Sequence, residues 1–145
     1  MLRASSSVWT GTLEQFRRCG EGCRECVTYW TGPRDEPGRV DAVVHPLHTA
    51  GPGSYQIDDR WLHTFWVELG RSGRSVRVQV HTHAFDAFHS RTDDLWPIVH
   101  MPGFLSLVVP SFAMRFTRDQ LFLVEIDQAG MWNKVDLDAR IEGIP

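Results

Sequence analysis

Along residues 57–69, IDDRWLHTFWVEL, the apolar positions recur at helical spacing. Trp61, Phe65 and Leu69 stand at i, i+4 and i+8, and Leu62 and Trp66 widen the same face. The pattern predicts an amphipathic helix ended by Gly70 and Gly73. Immediately afterwards the period changes from 3.6 to 2: Ser75-Val76-Arg77-Val78-Gln79-Val80-His81 alternates polar and apolar side chains and predicts a strand. Upstream, residues 12–19 (TLEQFRRC) read as a short helix with Thr12 as N-cap and Gly20 as its stop. Glu25 to Thr31 is β-prone through Val27, Tyr29 and Trp30 and is expected to end at a Gly32-Pro33 turn. A charged loop, RDEPGR, leads into a second strand through Val40, Ala42, Val43 and Val44. Downstream, a helix starts at Ser90, strands run from Phe104 to Val109 and from Leu121 to Ile126, and residues 127–145 hold one more strand and a closing segment. Helices and strands mixed in this way predict an α/β or α+β fold on one sheet, with residues 1–145 as one domain.

Composition narrows the function classes. A chain of 145 residues buries one core, not two. With 42% hydrophobic and 23% charged residues it is globular in composition. A net charge of −3 supplies no field to recruit phosphate backbones or anionic lipid, so neither nucleic acid nor membrane is an expected partner. No apolar run is long enough to span a bilayer, and MLRASSSVWTGT lacks the apolar stretch of a signal peptide. The three cysteines, Cys19, Cys23 and Cys26, are bunched and odd in number, which predicts packing thiols rather than a disulfide framework, and a cytoplasmic setting.

The chemistry concentrates in residues 81–94, HTHAFDAFHSRTDD. His81 and His83 lie two apart at the end of a strand, so both imidazoles leave the same face and can converge on one ion. If Ser90 is an N-cap, Asp93 falls in the first helical turn, within a loop's reach of the histidines. Two histidines, one carboxylate and a vacancy form the ligand set of a catalytic zinc site. A hydrolase of that kind needs a base, for which Glu25 is the upstream candidate. Spacing alone leaves open whether Glu25 faces the metal or solvent. His89 and His100 are weaker candidates as further ligands, and His45, His48 and His63 carry no special pattern. Segment 46–56, PLHTAGPGSYQ, is either an ordinary connection or a rim element of the site.

Other readings fit less well. The C-x3-C-x2-C spacing of Cys19, Cys23 and Cys26 is that of radical-SAM enzymes, but the chain is too short for their barrel; a second, structural zinc site on these cysteines is a further reading, behind simple packing. A zinc deaminase requires His-x-Glu followed by Pro-Cys-x-x-Cys; the Cys23/Cys26 pair lies upstream, lacks the proline and pairs with no His-x-Glu. A cupin presents His-x-His from a strand, but the helical pattern at 57–69 argues against an all-β barrel. In the metallo-β-lactamase pattern Phe85 would occupy the aspartate position.

Taken together, Glu25 in ECVTYWTG, then His81-Thr82-His83, then Ser90-Arg91-Thr92-Asp93 resembles the motif of the JAMM (MPN-plus) metalloproteases, over roughly residues 12–126. Two departures stand out. Ala84 replaces the proline that usually follows the second histidine, and the gap from His83 to Ser90 holds one residue fewer than usual. Asp93 keeps the Ser-x-x-Asp phase, whereas Asp94 keeps the distance from the histidine; the rigid helical spacing favours Asp93. The resemblance implies a cytidine-deaminase-like α/β fold, a curved mixed sheet flanked by helices. It implies one Zn²⁺ on His81, His83 and Asp93, Glu25 as proton carrier, and Ser90 as donor to the oxyanion. It also implies cleavage of the amide bond at the C-terminus of a ubiquitin-like protein, in the company of ubiquitin-activating-like and conjugating-like proteins. Degenerate members of such a family act as metal-free scaffolds; that alternative, and another small zinc amidohydrolase, remain open from the sequence.

Overall fold

The computed structural model describes residues 1–145. In chain order the elements are β1 (Leu2–Ala4), α1 (Ser6–Gly20), β2 (Val27–Pro33), β3 (Arg39–Val40), β4 (Ala42–Val44), β5 (His48–Ala50), β6 (Tyr55–Ile57) and α2 (Asp59–Ser72). They continue with β7 (Arg74–Thr82), α3 (Arg91–Leu95), β8 (Leu105–Val109), β9 (Phe122–Ile126), β10 (Trp132–Lys134) and β11 (Ile141–Glu142). Six strands form the main sheet in the order β10-β9-β8-β7-β2-β4. Every neighbouring pair is antiparallel except β7 and β8, which run parallel. A parallel pair requires a crossover connection, and residues 83–104, which include α3, make it. β11, β1 and β3 pair as a small parallel sheet, and β5 and β6 form a separate hairpin.

Period-two alternation places α1 and α2 on opposite faces of β2 and β7. Trp30, Val78 and Val80 join Leu105 and Leu107 in the larger core, against Val8, Trp9 and Phe16 of α1. Val27 and Tyr29 point the other way, into a smaller cluster with Phe65 and Leu69 of α2. Covered on both faces, β2 is buried from Val27 through Gly32.

Several boundaries differ from the sequence expectation for identifiable reasons. α1 begins at Ser6, with Ser5 as N-cap, and Thr12 lies mid-helix. Its hydroxyl donates to the Val8 carbonyl at 2.7 Å and accepts the indole N–H of fully buried Trp30 at 2.8 Å. Thr12 is thus the partner of a core tryptophan, whose N–H would otherwise cost about 1–3 kcal/mol unpaired. α2 starts two residues later than its pattern suggests: Asp58 caps it by accepting from the Trp61 amide, Ile57 belongs to β6, and the helix runs through Gly70 to Ser72, with Gly73 as its C-cap. β2 does not turn at Gly32; a Cβ there would lie 1.9 Å from the Arg39 carbonyl oxygen, so the glycine permits a close backbone approach within a strand. The register of β2 on β7 shifts between Trp30 and Thr31, skipping Arg77, so Val76 packs with the α2 cluster while Val78 and Val80 face α1.

The cysteines correct the expectation of simple packing thiols. Cys19 and Cys26 form a disulfide, Cα atoms 6.2 Å apart, and Cys23 is free and exposed. Glu21, in the left-handed conformation at φ 50°, reverses the chain after α1 and returns Cys26 against the end of the helix. No helix is long and apolar enough to cross a membrane.

Candidate metal centre

β7 ends at Thr82 between two histidines that share a face. The Nε2 atoms of His81 and His83 lie 3.3 Å apart, and Asp93 Oδ2 lies 3.2 Å from each. All three side chains are buried, His81 completely. A tetrahedral ion with ~2.0–2.1 Å bonds has ligand–ligand edges of about 3.3–3.4 Å, so the triangle fits one face of such a tetrahedron. The donor set, two imidazole nitrogens and a carboxylate oxygen, suits a divalent cation of the zinc class. The His81 ring is held by packing against Tyr55 and His89, with centroids 5.8 and 6.2 Å away; its Nδ1 is buried with no partner.

Asp93 arrives through the cap of α3. Ser90 Oγ accepts from the Asp93 amide at 3.1 Å, and Asp93 Oδ2 accepts from the Ser90 amide at 2.8 Å, a capping box with aspartate in the reciprocal position. Burial opposes the charge on Asp93, but hydrogen bonds from His81 and His83, then from the Ser90 backbone, hold its carboxyl well below the usual carboxylate range. The neighbouring Asp94 points elsewhere: its Oδ1 is 2.6 Å from His89 Nδ1. His89 Nε2 in turn meets Ser106 Oγ at 3.1 Å, Ser106 accepts from Gln79 Nε2 at 3.2 Å, and Gln79 Oε1 accepts the Ile98 amide at 3.2 Å. Burial lowers the His89 pKa, against the pull of Asp94. This network pins the crossover loop to β7 and β8 from behind the metal-ligand candidates.

Glu25 precedes β2 rather than opening it, with its amide donating to the Gly51 carbonyl at 2.9 Å. Its side chain is buried and lines a cavity of about 1070 Å³ together with His83, Ser90 and Asp93. Burial, with a smaller push from Asp93 and against the attraction of His83, raises its carboxyl from an ordinary 4.5 to about 7. That value suits a group that accepts and returns a proton near neutrality. Ser90 Oγ accepts one bond in the cap and donates none within the protein, so its hydroxyl proton is free to donate into the cavity.

The structure therefore brings His81, His83 and Asp93 to one point and sets Glu25 and Ser90 on the wall of the same cavity. Sequence reasoning missed the hydrogen-bond network through His89, Ser106 and Gln79, whose members are scattered over the crossover loop and two strands. It also left open segment 46–56, most of which becomes the β5–β6 hairpin and forms a cavity wall from Thr49 to Ile57. Around the mouth, Phe85, Phe88 and Trp96 expose 52–82% of their surface, an apolar rim. His100 and His63 are exposed and away from this cluster.

No family model matches the chain. It is 30% identical over 126 residues to the probable metalloprotease y4jG of Sinorhizobium fredii, covering 83% of this chain and 78% of that protein. Among solved structures it resembles protein DSY2949 of Desulfitobacterium hafniense, with a TM-score of 0.67 and 18% identity over 98% of this chain and 92% of the other. It also resembles AF2198, a JAB1/MPN domain protein of Archaeoglobus fulgidus, with a TM-score of 0.54 and 15% identity over 97% and 98% of the two chains.

Proposed function

From the premise that this chain belongs to the JAMM (MPN) metalloprotease family, we propose that it is a zinc-dependent peptidase or isopeptidase acting on the C-terminal tail of a ubiquitin-like protein. The observation that carries the reading is the 3.2–3.3 Å triangle of His81 Nε2, His83 Nε2 and Asp93 Oδ2 opening onto a cavity that also holds Glu25 and Ser90. Those three residues would hold the ion, and when bound it would lower the pKa of a water toward neutrality and polarise the scissile carbonyl. Glu25 takes the proton of the attacking water and passes it to the leaving amine. Ser90 donates its hydroxyl to the oxygen on which negative charge develops, a contact worth about 2.7–4 kcal/mol in comparable sites. Phe88, packed edge-on against His83 at 4.6 Å, limits water at the ligand cluster.

A protein tail as substrate is supported by the size of the cavity, its apolar rim and the hairpin on its wall, since an extended chain adds readily to a strand edge. Ubiquitin-activating-like and conjugating-like proteins are the partners this reading implies, and the cytoplasm its setting. The test is cleavage of a panel of ubiquitin-like fusions by zinc-loaded protein beside Glu25→Gln. Cleavage after the terminal glycine, lost in the variant with metal content unchanged, is the expected result. Failure to take up zinc at all would replace this reading with a metal-free scaffold.

A further inference from the structure

A second cluster of metal-binding side chains lies behind Glu25. Cys19 belongs to the last turn of α1, Cys26 follows Glu25, and His48 opens β5. The two sulfurs and a histidine nitrogen all lie within 4.8 Å of one another. His48 Nδ1 is 3.0 Å from the Pro46 carbonyl, which can only accept, so Nδ1 carries the ring proton. Nε2 then presents its lone pair to Cys19 Sγ, 3.5 Å away. A carbonyl fixing one ring nitrogen while the other faces soft donors is the usual arrangement of a metal-ligating histidine. His45 packs edge-on against His48 with centroids 5.0 Å apart, and its Nε2 is buried with no partner. Cys19, His45 and His48 share the wall of a cavity of about 480 Å³, which leaves room for a fourth ligand.

A purely structural disulfide accounts for the two sulfurs. It does not account for the oriented lone pair of His48 or the orphaned nitrogen of His45. We propose that, once the Cys19–Cys26 disulfide is reduced, both thiolates and His48 Nε2 bind a divalent cation of the zinc class, at a site separate from His81, His83 and Asp93. The chemistry balances with a dithiol reductant. It delivers two electrons and two protons to the cystine and becomes a cyclic disulfide, and the cation then displaces both thiol protons without further redox change. Tetrahedral sulfur ligands at ~2.3 Å stand about 3.8 Å apart, a spacing open to the two side chains only once the bond between them is broken. The bound ion joins the end of α1, the Glu25-Cys26 segment and the hairpin whose Gly51 carbonyl already holds the Glu25 amide, and so braces one wall of the larger cavity.

The probe is Co²⁺, titrated anaerobically into protein reduced with a dithiol and then freed of it. Thiolate-to-cobalt charge transfer in the near ultraviolet reports sulfur ligation, which a site of histidine and aspartate cannot produce. The expected band saturates within two equivalents in the wild type, persists in His83→Ala with saturation near one, and is absent from the oxidised protein and from Cys19→Ser. His48→Ala keeps both thiols and should weaken cobalt binding by about tenfold or more. Zinc content by mass spectrometry should be one ion higher per chain in reduced than in oxidised protein. No band in the reduced wild type overturns the proposal even if Cys19→Ser fails to fold, and so does a band that His48→Ala leaves unchanged in affinity.

Discussion

Ser90 and Asp93 hold one another. The amide of Ser90 donates to Asp93 Oδ2, and the amide of Asp93 donates to Ser90 Oγ. The oxygen that closes this cap is the same one that faces His81 and His83, so a local folding device aims a ligand. α3 is only five residues long and would not persist by propensity alone, which makes the cap decisive for the position of Asp93.

Ser90→Ala separates the two duties of that residue. Loss of the cap should cost about 1 kcal/mol of stability. Loss of the oxyanion donor should lower kcat by roughly 10²–10³-fold with little change in KM. Metal content should stay near that of the wild type, because the backbone amide still holds Asp93. Thermal melts and steady-state kinetics on one preparation decide the matter: a lower melting temperature with kcat intact would leave Ser90 as a cap alone.

Asp93→Ala and Asp94→Ala should fail in different ways. Without Asp93 the chain should lose its ion, measured by mass spectrometry after dialysis against zinc. Without Asp94 it should keep the ion but lose about 1–3 kcal/mol of stability, because buried His89 loses the partner of its Nδ1. Metal loss in Asp94→Ala alone would transfer the ligand assignment to that residue.

The features legible in the sequence were those set by local repetition. The alternation through Val78, Val80 and His81 marks β7, and the i, i+4, i+8 row of Trp61, Phe65 and Leu69 marks α2. Ser90 and Asp93 could be placed because three-residue spacing at a helix start is rigid. The features that escaped depend on distant backbone meeting backbone. Gly32 reads as a turn until the Arg39 carbonyl is seen against it. Cys19 and Cys26 pair only because Glu21 reverses the chain. His89, Ser106 and Gln79 share no period, and only the parallel pairing of β7 with β8 sets Gln79 beside Ser106.

Trp96 tests the apolar rim. It is 78% exposed and lines the cavity beyond the ligand cluster. Trp96→Ala should raise KM for a protein substrate by about 5–30-fold, the equivalent of about 1–2 kcal/mol, and leave kcat nearly unchanged. Hydrolysis of a short peptide that cannot reach the rim should not respond. Equal effects on both substrates would show that Trp96 acts through the fold instead.

Glu25 ties the chemistry to pH. Its carboxyl titrates at about 7 in the metal-free fold against an ordinary 4.5, so the fold favours its protonated form. The burial penalty is therefore absent below pH 4.5, grows as pH rises towards 7 and is constant above. Glu25→Gln should be neutral for stability at pH 4 and should stabilise the metal-free protein at pH 8, by up to about 3 kcal/mol. Denaturant midpoints of both proteins across that range measure the difference, and a difference independent of pH would contradict the assigned burial. Catalysis needs the opposite state, the ionised carboxylate. The acidic limb of kcat/KM should accordingly fall at or below pH ~7, since a nearby cation pulls a carboxyl downwards. The same burial that weakens the fold at neutral pH thus holds Glu25 where it can take a proton and give it back.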